Sequence, residues 1–125
     1  MRQWCLAAVA AVLVASPALA EPAASVTSTE EALAIYHSPE SPERTLFMTE
    51  VLEEYNGEYW ASDYNAMYFN PPIFCPPRGL KLTADQVLGD VDRYMEDHPD
   101  WAKAKIGYTV ILTMRALYPC AAGGH

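Results

Sequence analysis

Apolar residues recur along most of the chain at spacings of three, four and eight residues, which is the periodicity of a helix. The longest uninterrupted pattern spans residues 43–69, and its acids fall mostly between the apolar positions. One apolar row contains Phe47, Val51, Tyr55, Tyr59 and Met67, and a second contains Leu52, Trp60 and Tyr64. The pattern predicts one long helix, in which Gly57 marks either a kink or a close helix contact.

Capping sequences and prolines predict three further helices. The two capping boxes, in which a hydroxyl residue precedes a Glu or Gln by three positions, are Ser28 with Glu31 and Thr83 with Gln86. One predicted helix runs from the first box to about residue 37, and another runs from the second box to His98. A last helix is predicted over residues 100–117. It is apolar almost all round from Ile106 onward, so we expect it to be the most buried element.

These patterns together predict a single all-α domain. The chain has 125 residues, which is enough for one domain, and its 51% hydrophobic and 19% charged composition is typical of a folded protein. No internal repeat and no strand pattern interrupts the helical segments. We therefore predict a small four-helix domain over residues 28–120, followed by a flexible tail over residues 121–125.

The first twenty residues have the three-part pattern of a secretory signal peptide. A positive start at Met1–Arg2 precedes an apolar run from Leu6 to Ala15, and Ala18–Leu19–Ala20 supplies small residues for cleavage after Ala20. A membrane anchor is the alternative, but about ten apolar residues are too few to span a bilayer. We therefore expect export to the periplasm, removal of the signal, no membrane contact afterwards, and a flexible leader over residues 21–27.

Export leaves two cysteines, Cys75 and Cys120, in a compartment where disulfides form and persist. They allow one internal disulfide, which would close a loop of about 46 residues and stabilise the fold by roughly 4 kcal/mol in the entropic model. A reactive thiol and an intermolecular bridge are the alternatives. We predict the internal disulfide, because this contribution is a large share of the stability of a small domain.

Patterns for catalysis and metal binding are not found at the required spacings. The three histidines are His37, His98 and His125, and none stands at ligand spacing from another histidine or from a free cysteine. Asp90 and Asp92 fall on a predicted helix and lack the glycine and the final glutamate of a calcium loop. We therefore predict a protein that is not an enzyme and that binds no metal and no cofactor.

Acidic residues are concentrated in the N-terminal half of the chain, and this restricts the kinds of molecule that the protein can bind. The chain has a net charge of −8, and residues 21–70 carry ten acids against one base, Arg44, whereas residues 71–125 carry six of each. A protein that binds nucleic acid directly needs a basic surface, so that function is excluded. The acidic half is either a solvated surface over an aromatic core or an acidic and aromatic patch for a basic protein partner.

Six residues are the candidates for contact with a protein partner. Four are acids that fall off the main apolar row, and two are phenylalanines at the ends of the proline-rich connection after the long helix. The candidates are Glu50, Glu53, Glu54, Glu58, Phe69 and Phe74. We expect the acids to speed association with a basic surface, and the connection to expose its aromatic side chains.

The C-terminal half also carries a pattern of a known family. Its positions are Phe74-Cys75-Pro76-Pro77, Leu80, Leu82-Thr83, Gln86, Val91, Tyr94-Met95, His98-Pro99 and Leu117-Tyr118-Pro119-Cys120. This pattern resembles the Rap/Tai family of periplasmic immunity proteins. In that family a Phe-Cys-x-Pro segment leads into a helix ending in His-Pro, and a final apolar helix closes on an aromatic-Pro-Cys. The resemblance covers about residues 73–120, roughly half of the chain expected after signal removal.

The resemblance implies a small helical, disulfide-linked and often dimeric protein, with Cys75 and Cys120 as structural residues. It further implies a protein without chemistry of its own, which binds a type VI secretion effector, a peptidoglycan amidase, and blocks its cleft. No residue that contacts the toxin is carried over to this sequence. The alternative function is a periplasmic envelope- or acid-stress chaperone. A secreted amidase encoded next to the gene would favour the immunity protein over the chaperone.

Overall fold

The computed structural model describes residues 27–68 and 71–121, and within these ranges the chain forms four α-helices and no strand. The helices are α1 (Thr29–Tyr36), α2 (Pro42–Tyr68), α3 (Ala84–Asp97) and α4 (Ile106–Leu117), and a 3₁₀ turn (Pro99–Trp101) lies between the last two. The predicted all-α, four-helix architecture is confirmed. The predicted signal peptide, most of the predicted leader and residues 122–125 of the predicted tail lie outside the described residues.

Both predicted capping boxes are present. At the start of α1, Ser28 N donates to Glu31 Oε2 at 3.0 Å, and Glu31 N donates to Ser28 Oγ at 3.4 Å. At the start of α3, Thr83 N donates to Gln86 Oε1 at 2.8 Å, and Gln86 N donates to Thr83 Oγ1 at 3.2 Å. Each box satisfies amides that have no partner within the helix, so local sequence determines these two helix starts.

The core lies where the helices meet, since each of the four packs against the other three. Half of the twelve residues of α4 are buried, a larger share than in any other helix, which confirms that α4 is the most buried element. The buried hydrophobic residues are Ala32, Phe47, Met48, Val51, Tyr55, Phe74, Val87, Leu88, Val91, Ile106, Val110 and Met114.

The start of α4 is the main departure from the predicted boundaries. Instead of one helix over residues 100–117, the chain forms the 3₁₀ turn, a non-helical link and then α4. The cause is tertiary, because the carbonyls of Ala102 and Ala104 accept hydrogen bonds from Glu30 N and Thr29 N, at 3.0 and 2.8 Å. These amides at the start of α1 have no partner inside that helix. The link therefore completes α1 instead of extending α4.

The first described residue belongs to the domain rather than to a flexible leader. Thr27 is buried, and its carbonyl accepts a hydrogen bond from Ile106 N at 2.9 Å. Two residues later, Thr29 Oγ1 shares a buried hydrogen bond of 2.7 Å with Thr109 Oγ1. The predicted boundary between leader and domain is therefore wrong by one residue, because Thr27 is ordered by a contact with α4 that local sequence does not indicate.

The predicted disulfide joins Cys75 and Cys120. Their Cα atoms are 4.9 Å apart, within the range that a disulfide spans. Beside this bond, Cys75 N donates a hydrogen bond to the Tyr118 carbonyl at 2.8 Å. The two links hold the connection that follows α2 against the chain that follows α4.

A buried serine of α2 holds the same connection from the other side. Ser62 Oγ accepts hydrogen bonds from Ile73 N and Phe74 N, at 2.9 and 3.2 Å, and donates to the Phe74 carbonyl at 3.1 Å. One hydroxyl thereby satisfies three backbone groups that have no regular secondary structure around them. Sequence patterning gives no signal for this role, because a serine on a helix is ordinarily exposed.

We expect Ser62→Ala to lower the free energy of unfolding by about 2–3 kcal/mol, because it leaves two amides and a carbonyl near the core without this partner. Urea titration at constant pH measures the loss. Thr49→Ala, which removes an exposed hydroxyl from the same helix, is the matched control. It should change the free energy by less than about 0.5 kcal/mol. Equal losses for the two variants would contradict the role of Ser62.

Candidate partner-binding surface

Four large side chains are exposed on one side of α2. The exposed fractions are 70% for Trp60, 57% for Tyr64, 68% for Met67 and 66% for Tyr68. At about 100° per residue these four fall within an arc of about 100°, and the buried residues of α2 lie on the opposite side. We call these four residues the outer face of α2.

The outer face corrects the interpretation of the apolar rows. The sequence pattern places Met67 in one row with Val51 and Tyr55, but Val51 and Tyr55 are buried whereas Met67 is exposed. A step of eight residues adds a rotation of about 80°, so a row that includes such steps turns out of the core. Counting 100° of rotation per residue along the sequence places Met67 on the same side of the helix as Trp60 and Tyr64. This count is the sequence signal that could have identified the outer face.

The C-terminal end of α2 is mostly exposed. After the buried Ser62, five of the last six residues of α2 are exposed. The 27 residues of α2 span about 40 Å, whereas the 14 residues of α3 span about 21 Å, so α3 can cover only part of α2. The outer face therefore continues to the exposed end of α2.

The aromatic side chains of this region contact each other. The ring centroids of Tyr64 and Tyr68 are 4.8 Å apart, and Trp60 lies edge-to-face with Tyr59 at 6.4 Å. Such contacts restrict the rings before any partner arrives, so less conformational entropy is lost on binding. Trp and Tyr are also the residues that most often dominate binding energy at interfaces. The outer face has the composition and preorganisation of a protein-binding surface.

A groove of about 430 Å³ lies beside Trp60, between α2 and residues 79–82. These residues follow a turn in which Leu80 N donates to the Pro77 carbonyl at 3.1 Å, and Gly79 in that turn has a φ of 77°, a backbone conformation that favours glycine. On the helix side, the groove is lined by Leu52, Tyr55, Asn56, Tyr59 and Trp60. A mostly apolar groove next to an exposed indole can receive an apolar side chain of a partner, as paired interface anchors do.

Among the four candidate acids, Glu53 alone lies free on the surface. It is exposed and makes no ion pair or hydrogen bond with any residue of 27–68 or 71–121. Glu50 is half-buried and lines a separate cavity between α1 and α2. Asp63 is a further exposed acid of α2 without such a partner, and the sequence analysis did not single it out. Glu53 and Asp63 are therefore the acids available to a partner near Trp60.

Glu54 and Glu58 face α4, which overturns their assignment as surface acids. A Cβ at Gly107 of α4 would collide with the Glu54 carboxylate and would lie 3.3 Å from Glu58 Oε1. The absence of a side chain at Gly107 thus leaves the space that these carboxylates occupy. Both glutamates are half-buried, and Glu58 Oε2 has no hydrogen-bond partner among the described residues.

The position of these two glutamates changes their protonation. Burial raises the pKa of Glu54, and burial together with the neighbouring Glu54 carboxylate raises the pKa of Glu58 to about 8. Loss of water disfavours the charged form, and a second negative charge one helical turn away adds to this effect. Near neutral pH, Glu58 is therefore mostly protonated and contributes little to the attraction of a basic partner.

The two phenylalanine candidates differ in outcome. Phe74 is only 1% exposed and belongs to the core, so the expectation that its side chain is exposed is wrong. The neighbouring disulfide at Cys75 and the hydrogen bonds of Ser62 to the Phe74 backbone hold this residue inside. Phe69 lies outside the described residues.

Gly57 does not make the close helix contact that the sequence suggested. The helix α2 is continuous across this position, and apart from its own adjoining backbone no heavy atom of the described residues lies within 4 Å of a Cβ built on Gly57. The close approach between helices occurs at Gly107 instead. Gly57 lies on the solvent side of α2, three residues before Trp60.

The only basic residue of α2 is engaged within the protein. Arg44 donates from Nε and Nη2 to the Tyr36 carbonyl, at 3.1 and 3.0 Å, and its Nη2 lies 3.7 Å from Asp85 Oδ1. Its side chain is mostly buried. The solvent side of α2 therefore presents acids and aromatic rings without a free cation of its own helix.

Two predicted helix-end histidines are where the sequence places them. His37 caps α1, with Nε2 3.0 Å from Asp92 Oδ2, and His98 caps α3, with its ring stacked on Tyr94 at 4.0 Å. His125 lies outside the described residues.

No group of three or more His, Cys, Asp or Glu in the described ranges could hold a metal ion. None of the helices in those ranges is both long and apolar enough to cross a membrane.

Comparisons with known proteins give no match: no family model matches the chain, and searches of curated proteins and of solved structures find none either. The resemblance of residues 73–120 to the Rap/Tai family therefore stays a prediction. The functional argument depends on the geometry of the outer face.

Proposed function

We propose that this protein is an exported inhibitor without catalytic activity, which binds a secreted peptidoglycan amidase and covers its cleft with the outer face of α2. The observation that carries the proposal is the exposure of four large, mostly aromatic side chains on one side of a helix. Contiguous exposed patches of this kind mark interaction sites. The resemblance to periplasmic immunity proteins supports an amidase as the partner, and the predicted signal peptide supports a periplasmic location.

The shape of α2 supports occlusion of a cleft. Enzyme sites are concave, and the interfaces that fill them are centred on a few aromatic anchors. Trp60 and Tyr64 are one helical turn apart, so both can enter the same cleft. Tyr68 extends the contact to the exposed end of α2. The groove beside Trp60 can receive a side chain from the rim of the enzyme.

An acid-stress chaperone would also use an exposed apolar surface, but the contact between α2 and α4 argues against it. A chaperone that is activated by acid needs contacts that weaken as the pH falls. Glu54 and Glu58 act in the opposite direction, because their raised pKa values mean that acid neutralises them in their half-buried positions. Acid therefore strengthens this contact, so the packing of α2 on α4 is not a contact that opens as the pH falls.

We expect the double variant Trp60→Ala/Tyr64→Ala to lose inhibition of a secreted peptidoglycan amidase, sought first among the products of the neighbouring genes, while remaining folded. Both side chains are more than half exposed, so their truncation removes contact area and little core packing. Two interface anchors of about 2 kcal/mol each correspond to a loss of affinity of at least about 100-fold. Hydrolysis of purified peptidoglycan at increasing inhibitor concentration measures the effect, and circular dichroism verifies the fold.

The matched control is Tyr108→Ala, which truncates a half-exposed aromatic residue of α4. It should leave inhibition within about twofold of the wild type. If Tyr108→Ala and the double variant inhibit equally well, or lose inhibition equally, the outer face is not the binding surface. If the wild-type protein does not inhibit the amidase, the proposed function is wrong.

A further inference from the structure

Gly57 is a residue that the folded chain does not need. A glycine inside a helix is less stable than alanine, and glycine is useful where another group must approach the backbone closely. Apart from the adjoining backbone of α2 itself, no heavy atom of the described residues lies within 4 Å of a Cβ built on Gly57. No packing contact within residues 27–68 and 71–121 therefore requires a glycine at this position. Gly57 lies four residues after Glu53 and three residues before Trp60, so all three adjoin on the helix surface.

On α2 itself the surface near Gly57 is acidic and has no competing cation, while Lys81 lines the other wall of the groove beside Trp60. Glu53 and Asp63 are exposed and make no ion pair or hydrogen bond with the rest of the described chain. Arg44, the only base of α2, is held by the Tyr36 carbonyl about three turns away from Gly57. Between the two acids lies the exposed indole ring of Trp60, whose face attracts cations.

We infer that an arginine-bearing segment of the partner protein lies directly against α2 at Gly57, with guanidinium groups on Glu53 and Asp63 and against the Trp60 ring. The inference rests on the proposed function, because it takes the same side of α2 as the binding surface and names the chemistry of the segment that binds there. A guanidinium group pairs with a carboxylate at two points and stacks on an aromatic ring, which favours arginine over lysine. The missing side chain at Gly57 lets the segment approach closely enough for these contacts.

The requirement for the Glu53 and Asp63 carboxylates is tested by fluorescence anisotropy at low salt. Fluorescein-labelled deca-arginine is the probe, and labelled deca-glutamate is the negative control. We expect Glu53→Gln/Asp63→Asn to raise the Kd for deca-arginine at least about fivefold. The matched control, Glu96→Gln/Asp97→Asn on α3, removes the same charge from two other exposed positions and should change the Kd less than about twofold. Equal effects of the two pairs, or no binding to the wild-type protein, would overturn the inference.

The close approach at Gly57 is tested with Gly57→Ala, which should stabilise the fold and weaken binding. We expect Tm to rise by about 2–8 °C, because alanine favours the helix and the added Cβ meets no atom beyond the adjoining helix backbone. We also expect the Kd for deca-arginine to rise at least about threefold, because the methyl group holds the segment away from the backbone. Thr49→Ala, at an exposed position of α2 two turns away, should leave the Kd within about twofold. A higher Tm with an unchanged Kd would overturn the close approach.

The same variants separate this inference from the proposed function. If wild type, Gly57→Ala and Glu53→Gln/Asp63→Asn inhibit the amidase equally, the proposed inhibitor function is supported and the arginine contact is overturned. If the variants change deca-arginine binding as expected but the wild-type protein does not inhibit the amidase, the arginine-binding surface is supported and the inhibitor function is overturned.

Discussion

Reduction of the Cys75–Cys120 disulfide is expected to lower Tm by more than about 10 °C. The bond joins residues 45 positions apart, and the entropic model gives about 4 kcal/mol for a loop of this length. In a domain of this size, each kcal/mol corresponds to about 4–8 °C in Tm. The bond also supports packing, because it secures the connection that places Phe74 in the core. Thermal unfolding followed by circular dichroism, with and without reductant, measures the shift.

The double variant Cys75→Ser/Cys120→Ser is the control for reduction. Its Tm should match that of the reduced wild type and should not respond to reductant. Wild-type protein without residues 1–20, and therefore without Cys5, should show no reactive thiol when denatured without reductant. Two reactive thiols, or a Tm that is insensitive to reductant, would contradict a structural disulfide between Cys75 and Cys120.

Replacement of Glu58 by glutamine is expected to stabilise the protein strongly above pH 8 and hardly at all below pH 4.5. The pKa of this group rises from 4.5, its ordinary value, to about 8 in the folded protein. Its contribution to stability is present in full below pH 4.5 and is lost as the pH rises through about 8, where the folded protein must hold a half-buried charge. Each pKa unit corresponds to about 1.4 kcal/mol, and solvent screening of a half-buried group reduces the total to about 2–4 kcal/mol.

Urea titrations of the wild type and Glu58→Gln at several pH values between 4 and 9 test this linkage. The difference in the free energy of unfolding should grow steadily with pH across the window from about 4.5 to about 8. Glu53→Gln is the matched control, because Glu53 is an exposed acid of the same helix, and its difference should stay nearly constant. A difference for Glu58→Gln that does not depend on pH would show that its carboxylate is not buried against Gly107.

Sequence alone was sufficient for the fold class, because its strongest signals act within one helical turn. The capping boxes at Ser28 and Thr83 form as predicted, and His37 and His98 end their helices. The cysteine pair followed from composition, since the two cysteines beyond the predicted signal peptide allow only one internal pairing. For the candidate surface, the sequence located acids and aromatic residues on the helix that exposes them, and it identified Glu53 as an exposed acid.

Tertiary structure decided which side of α2 faces the core and where α4 begins. Periodicity gives the angles between side chains on one helix, but it does not say where the neighbouring helices end. Hydrophobicity predicts that Trp60 is buried and Glu58 exposed. Trp60 is instead exposed and Glu58 half-buried, because Trp60 points away from the core and Gly107 leaves space beside the Glu54 and Glu58 carboxylates. Likewise, α4 starts late because the preceding carbonyls satisfy the first amides of α1, a contact between distant residues that no local pattern contains.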